Sequence, residues 1–446
     1  MNPYDEYEEQ TPDGPGSNED FDLWDSPDGD EQGLPAGDEP ADKAPGPREP
    51  GIPSGYLELS RLLALSRKDL REAAKTLGLN EARYIVDCYY QWQGYRIAAA
   101  GQVRSLSAPT VPGQKAEPAD AIRWVMAQMI KTEDDLRAIL EVWTRYEPSG
   151  MAAWARLHVG IGPVIAAGLR AHLDITRART VGHWWRFAGL DPTNEWLGRE
   201  KAAVLLREAY AGVGLRATDR PDNDVLAFVS QRTKRPMETI ARLAKDKQGN
   251  VSRAALEAGL ARRPWNASLK VLTWKLGESM VKMQNHPECY YGRVFAARKA
   301  REQAMNEQGA YADQAERKLA SYNIGKDTDA WQWYSGCLTV EAARQILAAP
   351  AGDRQGLTKK LAGAPGAGPR MLPPAHIHAR AKRYAVKLFL AAYHEENYRR
   401  HFHRLPPVPF AMAHLGHAHK QECPVPFTPV PGDDDRTPQP KDNPAF

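Results

Sequence analysis

The sequence has little cysteine, no long apolar run and almost no positive charge near its N-terminus. Its four cysteines are scattered over 446 residues and share no Cys-x-x-Cys spacing. This usage predicts reduced thiols in a cytoplasmic protein rather than a disulfide framework. No apolar stretch approaches the ~20 residues of a membrane span, and the acidic N-terminus is unlike a secretory signal. We therefore expect neither membrane insertion nor export.

Motifs of common enzyme classes are also missing. The sequence contains no Walker loop, no Gly-x-Gly-x-x-Gly pattern and no recognisable order of Ser, His and Asp. Carboxylate pairs such as Asp134 with Asp135 resemble helix caps or surface residues. We expect no metal site and no cofactor.

Charge is distributed unevenly along the chain. Residues 1–52 contain 16 Asp and Glu but only Lys43 and Arg48, a net charge of −14. The remaining residues hold 57 Lys and Arg against 40 Asp and Glu, a net charge of +17. A body this basic attracts polyanions, of which nucleic acid is the commonest and an acidic membrane surface the alternative.

The acidic segment 1–52 is rich in Gly and Pro and poor in aliphatic residues. It buries too little apolar surface to offset the entropy lost on ordering, so we predict a disordered tail. Two roles stay open for it. It is either a solubilising tail or a DNA mimic that screens the basic body from non-specific binding.

The rest of the chain has helical periodicity, and the predicted fold class is mainly α. Residues 53–106 are expected to be helical, with a capping box formed by Ser66 and Asp69 and a long amphipathic helix that starts at Asn80. That helix suits core packing or pairing with a second helix or subunit. A Pro/Gly-rich linker follows at 107–118.

Residues 119–305 are expected to form the main body. Within it, Thr132 and Asp135 predict the start of a second helix, and an insert at 199–260 has the pattern of three short helices. The expected organisation beyond the body is an insert and low-complexity loop at 306–374, a closing basic helix at 375–403 and a Pro-rich extended tail at 404–446.

The most informative stretch is ARLHVGIGPVIAAGLRAHLDI at 155–175, where alanine-rich helix surrounds a Gly-x-Gly-Pro turn. In a helix-hairpin-helix, such glycines let the backbone approach a phosphate, and the amides that open the second helix point at it. Pro163 suits the first helical position, where its missing N–H costs nothing. The pattern predicts a sequence-tolerant DNA-phosphate contact. Its residues are Gly160, Ile161, Gly162, Pro163 and Val164.

The order of motifs resembles the C-terminal domain of insertion-sequence-110 type transposases. The blocks LHVGIGPVIAAGLRAHLDI, WRFAGLDP, RPWNASLKVLTWKLGESMVKM, HPECYYGRVFAARKAREQAM and HIHARAKRYAVKLFLAAY follow one another as in that family, over less than half of the chain. The specific positions are Gly160, Gly162, Pro163, Gly189, Leu190 and Pro192. The resemblance implies a DNA-binding protein of a mobile element or phage that takes part in transposition or recombination.

The sequence departs from this family in its catalytic parts. Members have an N-terminal RuvC-like nuclease domain with four metal-binding acids, whereas residues 56–150 have helical patterns. Members also have a nucleophilic serine soon after the AGLxP block; here Thr193 lies too early and the next serine is Ser230. The resemblance therefore implies an accessory DNA-binding protein, with a separate nuclease subunit and a second copy of the chain as expected partners. The alternatives are an active transposase with a divergent site and a structural protein whose Gly-x-Gly is only a turn.

Two further groups of basic residues are candidate phosphate contacts. Between 262 and 301, cations alternate with aromatic residues, which suits stacking on unpaired bases or a solvated helix face over an aromatic core. On the closing helix, three cations share one face, which again suits phosphate contact or plain solvation. The candidates are Arg262, Arg263, Lys270, Lys275, Arg298, Lys299, Arg380, Arg383 and Lys387.

Histidine is concentrated near the C-terminal end, with eight of the twelve histidines between 376 and 419. No acid or cysteine completes a recognised ligand set there, so we favour histidines close to phosphate over a metal site.

Overall fold

The computed structural model describes residues 62, 64–106, 118–191, 196–321, 324–407 and 423–431. These residues are mainly helical, as predicted, and contain no β-strand. The α-helices are α1 (Arg67–Ala73), α2 (Leu79–Leu106), α3 (Asp120–Tyr146), α4 (Met151–Ala155), α5 (Pro163–His172), α6 (Val181–Phe187), α7 (Gly198–Val213), α8 (Asn223–Thr233), α9 (Met237–Leu243), α10 (Arg253–Ala261), α11 (Ala267–Lys282), α12 (Tyr290–Glu307), α13 (Ala312–Ser321), α14 (Asp329–Tyr334), α15 (Val340–Ala348), α16 (Arg354–Leu361) and α17 (Pro374–Phe402).

Two predicted segments, the acidic tail 1–52 and nearly all of the linker 107–118, lie outside the described residues. Among the helices that are described, none combines the length and the apolar character needed to span a membrane.

The predicted capping box is confirmed, because Ser66 and Asp69 each accept a hydrogen bond from the other's backbone N–H at the start of α1. The long helix α2 begins at Leu79, one residue before the predicted Asn80. It packs antiparallel to α3: Trp143 donates to the Leu77 carbonyl at one end, and Glu133 accepts from α2 further along.

The predicted helix start at Thr132 is wrong, because α3 continues through it without interruption. The Thr132 hydroxyl donates to the Gln128 carbonyl one turn earlier, so it caps nothing. Asp135 pairs with Lys131 and Arg67 instead of binding a helix N-terminus. A Thr-x-x-Asp pattern therefore fits a helix interior whenever its side chains find such partners.

Helix α17 is the centre of the main body. It packs against α4, α6, α11 and α12, and 19 of its 29 residues are buried. Its bounds agree with the predicted closing helix 375–403. The face predicted to be basic and solvated is not exposed, since Lys387 is buried and Arg380 and Arg383 are partly buried. A helix surrounded on all sides has no single apolar stripe, and its cations must then find partners inside the protein.

The insert forms a unit with its own hydrophobic core. Helices α7 to α10 bury Leu206, Val225, Ile240 and Leu256 against one another. The prediction of three short helices in 199–260 is wrong by one, because the turn at Lys234 separates α8 from the short α9. We call residues 198–261 the inserted unit.

Residues 306–374 are more ordered than the predicted low-complexity loop. They contain α13 to α16, and 362–373 is the longest described stretch without helix. Leu357 and Leu361 of α16 pack on a small core around Trp333. Apolar residues spaced by one turn thus form a helix even within a Gly- and Ala-rich stretch.

The described part of the Pro-rich tail includes residues 423–431, here called the C-terminal segment. It has neither helix nor strand, and it lies on the main body. Phe427 stacks on Trp154 of α4 at 6.3 Å between ring centroids. The Thr428 N–H and hydroxyl donate to the two oxygens of the buried Glu396, at 2.8 and 2.7 Å.

Candidate nucleic-acid interface

The Gly160 turn, residues 156–162, joins α4 to α5. Gly160 has a φ of +97°, which favours glycine, and its carbonyl accepts a hydrogen bond from the Ser279 hydroxyl of α11. The Ile161 N–H donates to the His158 carbonyl at 3.0 Å, and the Cys289 thiol donates to the Val159 carbonyl. The turn is therefore fixed to the body by its backbone.

The side chains on either side of the turn anchor it in the core. Ile161 and Val164 are 6% and 7% exposed. Small residues of α5 are also buried, and Gly168 lies directly against Leu272 of α11. The turn is thus anchored by its side chains as well as by its carbonyls, and Gly162 is its exposed glycine.

The start of α5 is open to solvent. Gly162 is exposed, and a Cβ added to it would meet no atom within 4 Å. The first intrahelical hydrogen bond runs from Ala166 N–H to the Gly162 carbonyl, so the N–H groups of Val164 and Ile165 precede it. No side chain caps this terminus, and Pro163 has no N–H to satisfy. Two amides and the positive end of the helix dipole thus lie behind an unobstructed glycine.

Positive charge lies on the two helices that hold the turn. Lys282 is exposed and follows Ser279 by one turn at the end of α11. Arg293 is exposed in the first turn of α12 and donates to the Pro287 carbonyl at 2.7 Å.

Several candidate cations are instead stacked on aromatic rings of the chain itself. Lys270 is 5% exposed, with its Nζ 4.2 Å from the Trp265 ring centroid. Lys275 lies over Tyr90 at 4.7 Å and donates to Gln93, and Arg263 lies over Trp196 at 4.7 Å. At these positions, the cations between 262 and 301 therefore contact aromatic rings of the same chain.

Two other candidates form a buried ion cluster. Arg298 and Arg380 both bind Glu302, whose carboxylate is buried, and Arg380 also stacks on Tyr311 at 4.7 Å. Burial raises the pKa of the Tyr311 phenol. Charges buried in this way hold α12 and α17 together and are directed at each other.

The remaining candidate cations differ in how far they are exposed to solvent. Arg262 is exposed, Arg383 and Lys299 are partly buried, and burial lowers the pKa of Lys299. Lys387 is 9% exposed and lies 5.5 Å from the Trp185 ring centroid. Of the predicted cations, Arg262 is the one most available to solvent.

Of the five described histidines of the C-terminal cluster, two are buried and one is partly buried, whereas His401 and His403 are exposed. His394 is buried and its Nε2 lies 2.9 Å from the Ala178 carbonyl; burial lowers its pKa to about 4. Burial likewise lowers the pKa of His378 to about 4 and holds that of His376 well below its usual value. These side chains are neutral at pH 7. Among the described residues no group of three or more His, Cys, Asp and Glu side chains is arranged to hold a metal. Three histidines of the cluster, His414, His417 and His419, lie outside those residues.

The sequence did not predict the role of Ser279, whose hydroxyl binds the Gly160 carbonyl. It also did not single out the exposed cations of the inserted unit. Ser279 has no local signal, because its partner is 119 residues away in the chain.

Comparison of the chain with protein-family models, with curated proteins and with solved structures gives no match. The resemblance to a transposase domain therefore has its basis in the residue pattern alone.

Proposed function

We propose that this protein binds duplex DNA through the phosphate backbone, with α4, the Gly160 turn and α5 acting as a helix-hairpin-helix. The observation that carries the proposal is the uncapped start of α5, where the amides of Val164 and Ile165 lie behind the exposed Gly162. A helix N-terminus of this kind favours an anion, because unpaired N–H groups and the helix dipole act together.

The chemistry of this contact is independent of base sequence. A phosphate held by main-chain amides offers no base edge to read, so binding is sequence-tolerant. Lys282 and Arg293 beside the turn add positive charge, and the chain beyond residue 52 has a net charge of +17. Long-range attraction of this sign speeds association with DNA.

The resemblance to the transposase domain supports a role in DNA transposition or recombination of a mobile element or phage. In this role the chain grips DNA, and a separate nuclease subunit supplies the cleavage chemistry. We place both in the cytoplasm, with a second copy of the chain as the expected partner.

A change at Gly162 tests the proposal without disturbing the fold. The backbone there is extended, with φ −82° and ψ 175°, and has room for a side chain. In Gly162→Asp, the carboxylate caps the amides of α5 and repels phosphate. We expect the melting temperature to stay the same or rise, since Asp is a favoured N-cap residue. Affinity for a random 30-bp duplex should fall about tenfold, measured by fluorescence anisotropy in 100 mM KCl.

Two matched variants complete the test. Gly162→Asn caps the same amides without charge and should weaken binding less than Asp does. Gly356→Val, at an exposed glycine of α16 with open space around it, should leave binding unchanged. Wild-type affinity in Gly162→Asp, or a wild-type chain whose DNA binding does not depend on salt, would contradict the proposal.

A further inference from the structure

The inserted unit is built as a separate module within the main body. Its core contains residues of α7 to α10. Its two ends meet, because the Trp196 indole N–H donates to the Ala261 carbonyl at 2.7 Å. Arg263, just beyond the exit, stacks on the same indole. The chain thus leaves and re-enters the main body at nearly one point, and the module adds a surface of its own.

The net charge of the inserted unit is concentrated in one segment of its sequence. The unit has 12 Lys and Arg and 8 Asp and Glu, a net charge of +4. Residues 232–247 alone contain six of these cations and only two acids, also a net charge of +4, so the rest of the unit is neutral. We call residues 232–247 the basic edge. It covers the end of α8, the turn, α9 and the loop after α9.

Four cations of the basic edge are directed to solvent. They are exposed, and none of them forms an ion pair with a described residue: Lys234, Arg242, Lys245 and Lys247. The cations of the main body differ in this respect, because Arg298 and Arg380 are both paired with Glu302. Exposed cations without acid partners keep their full attraction for an external anion.

Lys234 occupies a backbone position that glycine fills at lower cost. It ends α8 with a φ of +53°, a left-handed conformation that is strained for a residue with a Cβ. Two hydrogen bonds between Ser230 and Arg235 close the turn. The Ser230 hydroxyl donates to the Arg235 carbonyl at 2.6 Å, and the Arg235 N–H donates to the Ser230 carbonyl at 3.2 Å. Since the Lys234 side chain is exposed, it contributes no packing that would explain a lysine here.

We propose that the basic edge is a second phosphate-binding surface, which contacts the same duplex DNA that the Gly160 turn holds. The inference rests on the proposed function and extends it from one contact to two. Exposed cations at the turn after α8, on α9 and on the loop after it suit the repeated charges of a nucleic-acid backbone. The module would then lengthen the DNA footprint without adding base recognition.

Removal of the four charges in the full chain tests this proposal. The variant combines Lys234→Gly with glutamine at Arg242, Lys245 and Lys247. Binding of a random 30-bp duplex is measured from 50 to 200 mM KCl. Each phosphate contact contributes about 0.9 to the slope of log affinity against log salt, so the slope should fall by roughly three to four. Affinity at 100 mM KCl should fall at least tenfold.

The control removes four exposed cations from elsewhere in the same unit. They are changed to glutamine at Arg199, Lys201, Arg207 and Arg220. The slope should then change by less than about one. A further variant, Lys234→Gly alone, should melt at or above the wild-type temperature while it binds DNA more weakly. That combination separates a functional lysine from a structural one.

The outcomes distinguish this inference from the proposed function. Equal losses in the two four-residue variants, or none in either, would overturn the second surface while leaving the contact at Gly162 intact. A wild-type chain that does not bind the duplex would instead overturn the proposed function.

Discussion

The two glycines of the Gly-x-Gly motif have different physical roles, although the sequence presents them alike. Gly160 is required by its φ of +97°, so a substitution there strains the turn. Gly162 has an extended backbone and open space, so a substitution there changes only what can approach α5. Stability and binding can be separated at the second glycine and not at the first.

Burial of neutral histidines predicts a loss of stability in acid. Burial lowers the pKa of His158 and of His394 from 6.5 to about 4. Below pH 6.5 the unfolded chain takes up these protons and the folded chain does not, so acid favours unfolding until about pH 4. We expect each histidine to cost about 2 kcal/mol of unfolding free energy between pH 7 and pH 5.

Urea unfolding at several pH values measures this effect. His394→Asn should be less stable than wild type at pH 7 but should lose less stability on going to pH 5. His401→Asn, at an exposed position, is the control. A mutant that follows the wild-type pH profile would show that His394 does not titrate on unfolding.

At the scale of elements, the C-terminal segment depends on Glu396. Thr428→Val removes the hydroxyl that donates to the buried carboxylate. A buried charge that lacks one donor costs about 1–3 kcal/mol, so the variant should be destabilised by that amount. Hydrogen exchange of residues 423–431 should also become faster, whereas Thr428→Ser, which keeps the hydroxyl, should resemble wild type. Unchanged protection in Thr428→Val would mean that Phe427 alone holds the segment.

The helices could largely be predicted from local patterns, and their partners could not. Ser66 and Asp69 lie within one turn, so their capping box is visible in the sequence. The hydrogen bond from Thr428 to Glu396 joins residues 32 apart, and no local sequence pattern predicts it. The same limit explains the basic candidates: composition shows that Arg298 and Arg380 are charged, but only the packing of α12 on α17 shows that they share Glu302.

The turn was the part of the candidate site that the sequence predicted best. Gly160 and Gly162 lie in a turn that is followed by a helix beginning at Pro163, as the motif indicates. The run of cations at 232–247 is visible in the sequence, but their exposure and the left-handed backbone of Lys234 are not. Lysine gives no sign of that conformation, whereas glycine would have.

At the scale of the whole molecule, the opposed charges of the two regions lead to a further prediction. If residues 1–52 act as a DNA mimic, replacing their 16 acids by Asn and Gln in the full chain should strengthen non-specific DNA binding about tenfold at 50 mM KCl. Anisotropy with a random duplex measures this. A control chain carries the same 52 residues in permuted order, which keeps the charge. Unchanged affinity after neutralisation would leave the solubilising role.

The central position of α17 has a consequence for biosynthesis. Trp185 of α6 leaves the ribosome 202 residues before Lys387 of α17, yet its indole N–H donates to the Lys387 carbonyl. At the usual 5–20 residues per second, the buried side of α6 waits about 10–40 s for the helix that completes its surroundings. During that interval the nascent chain is a natural client for a chaperone.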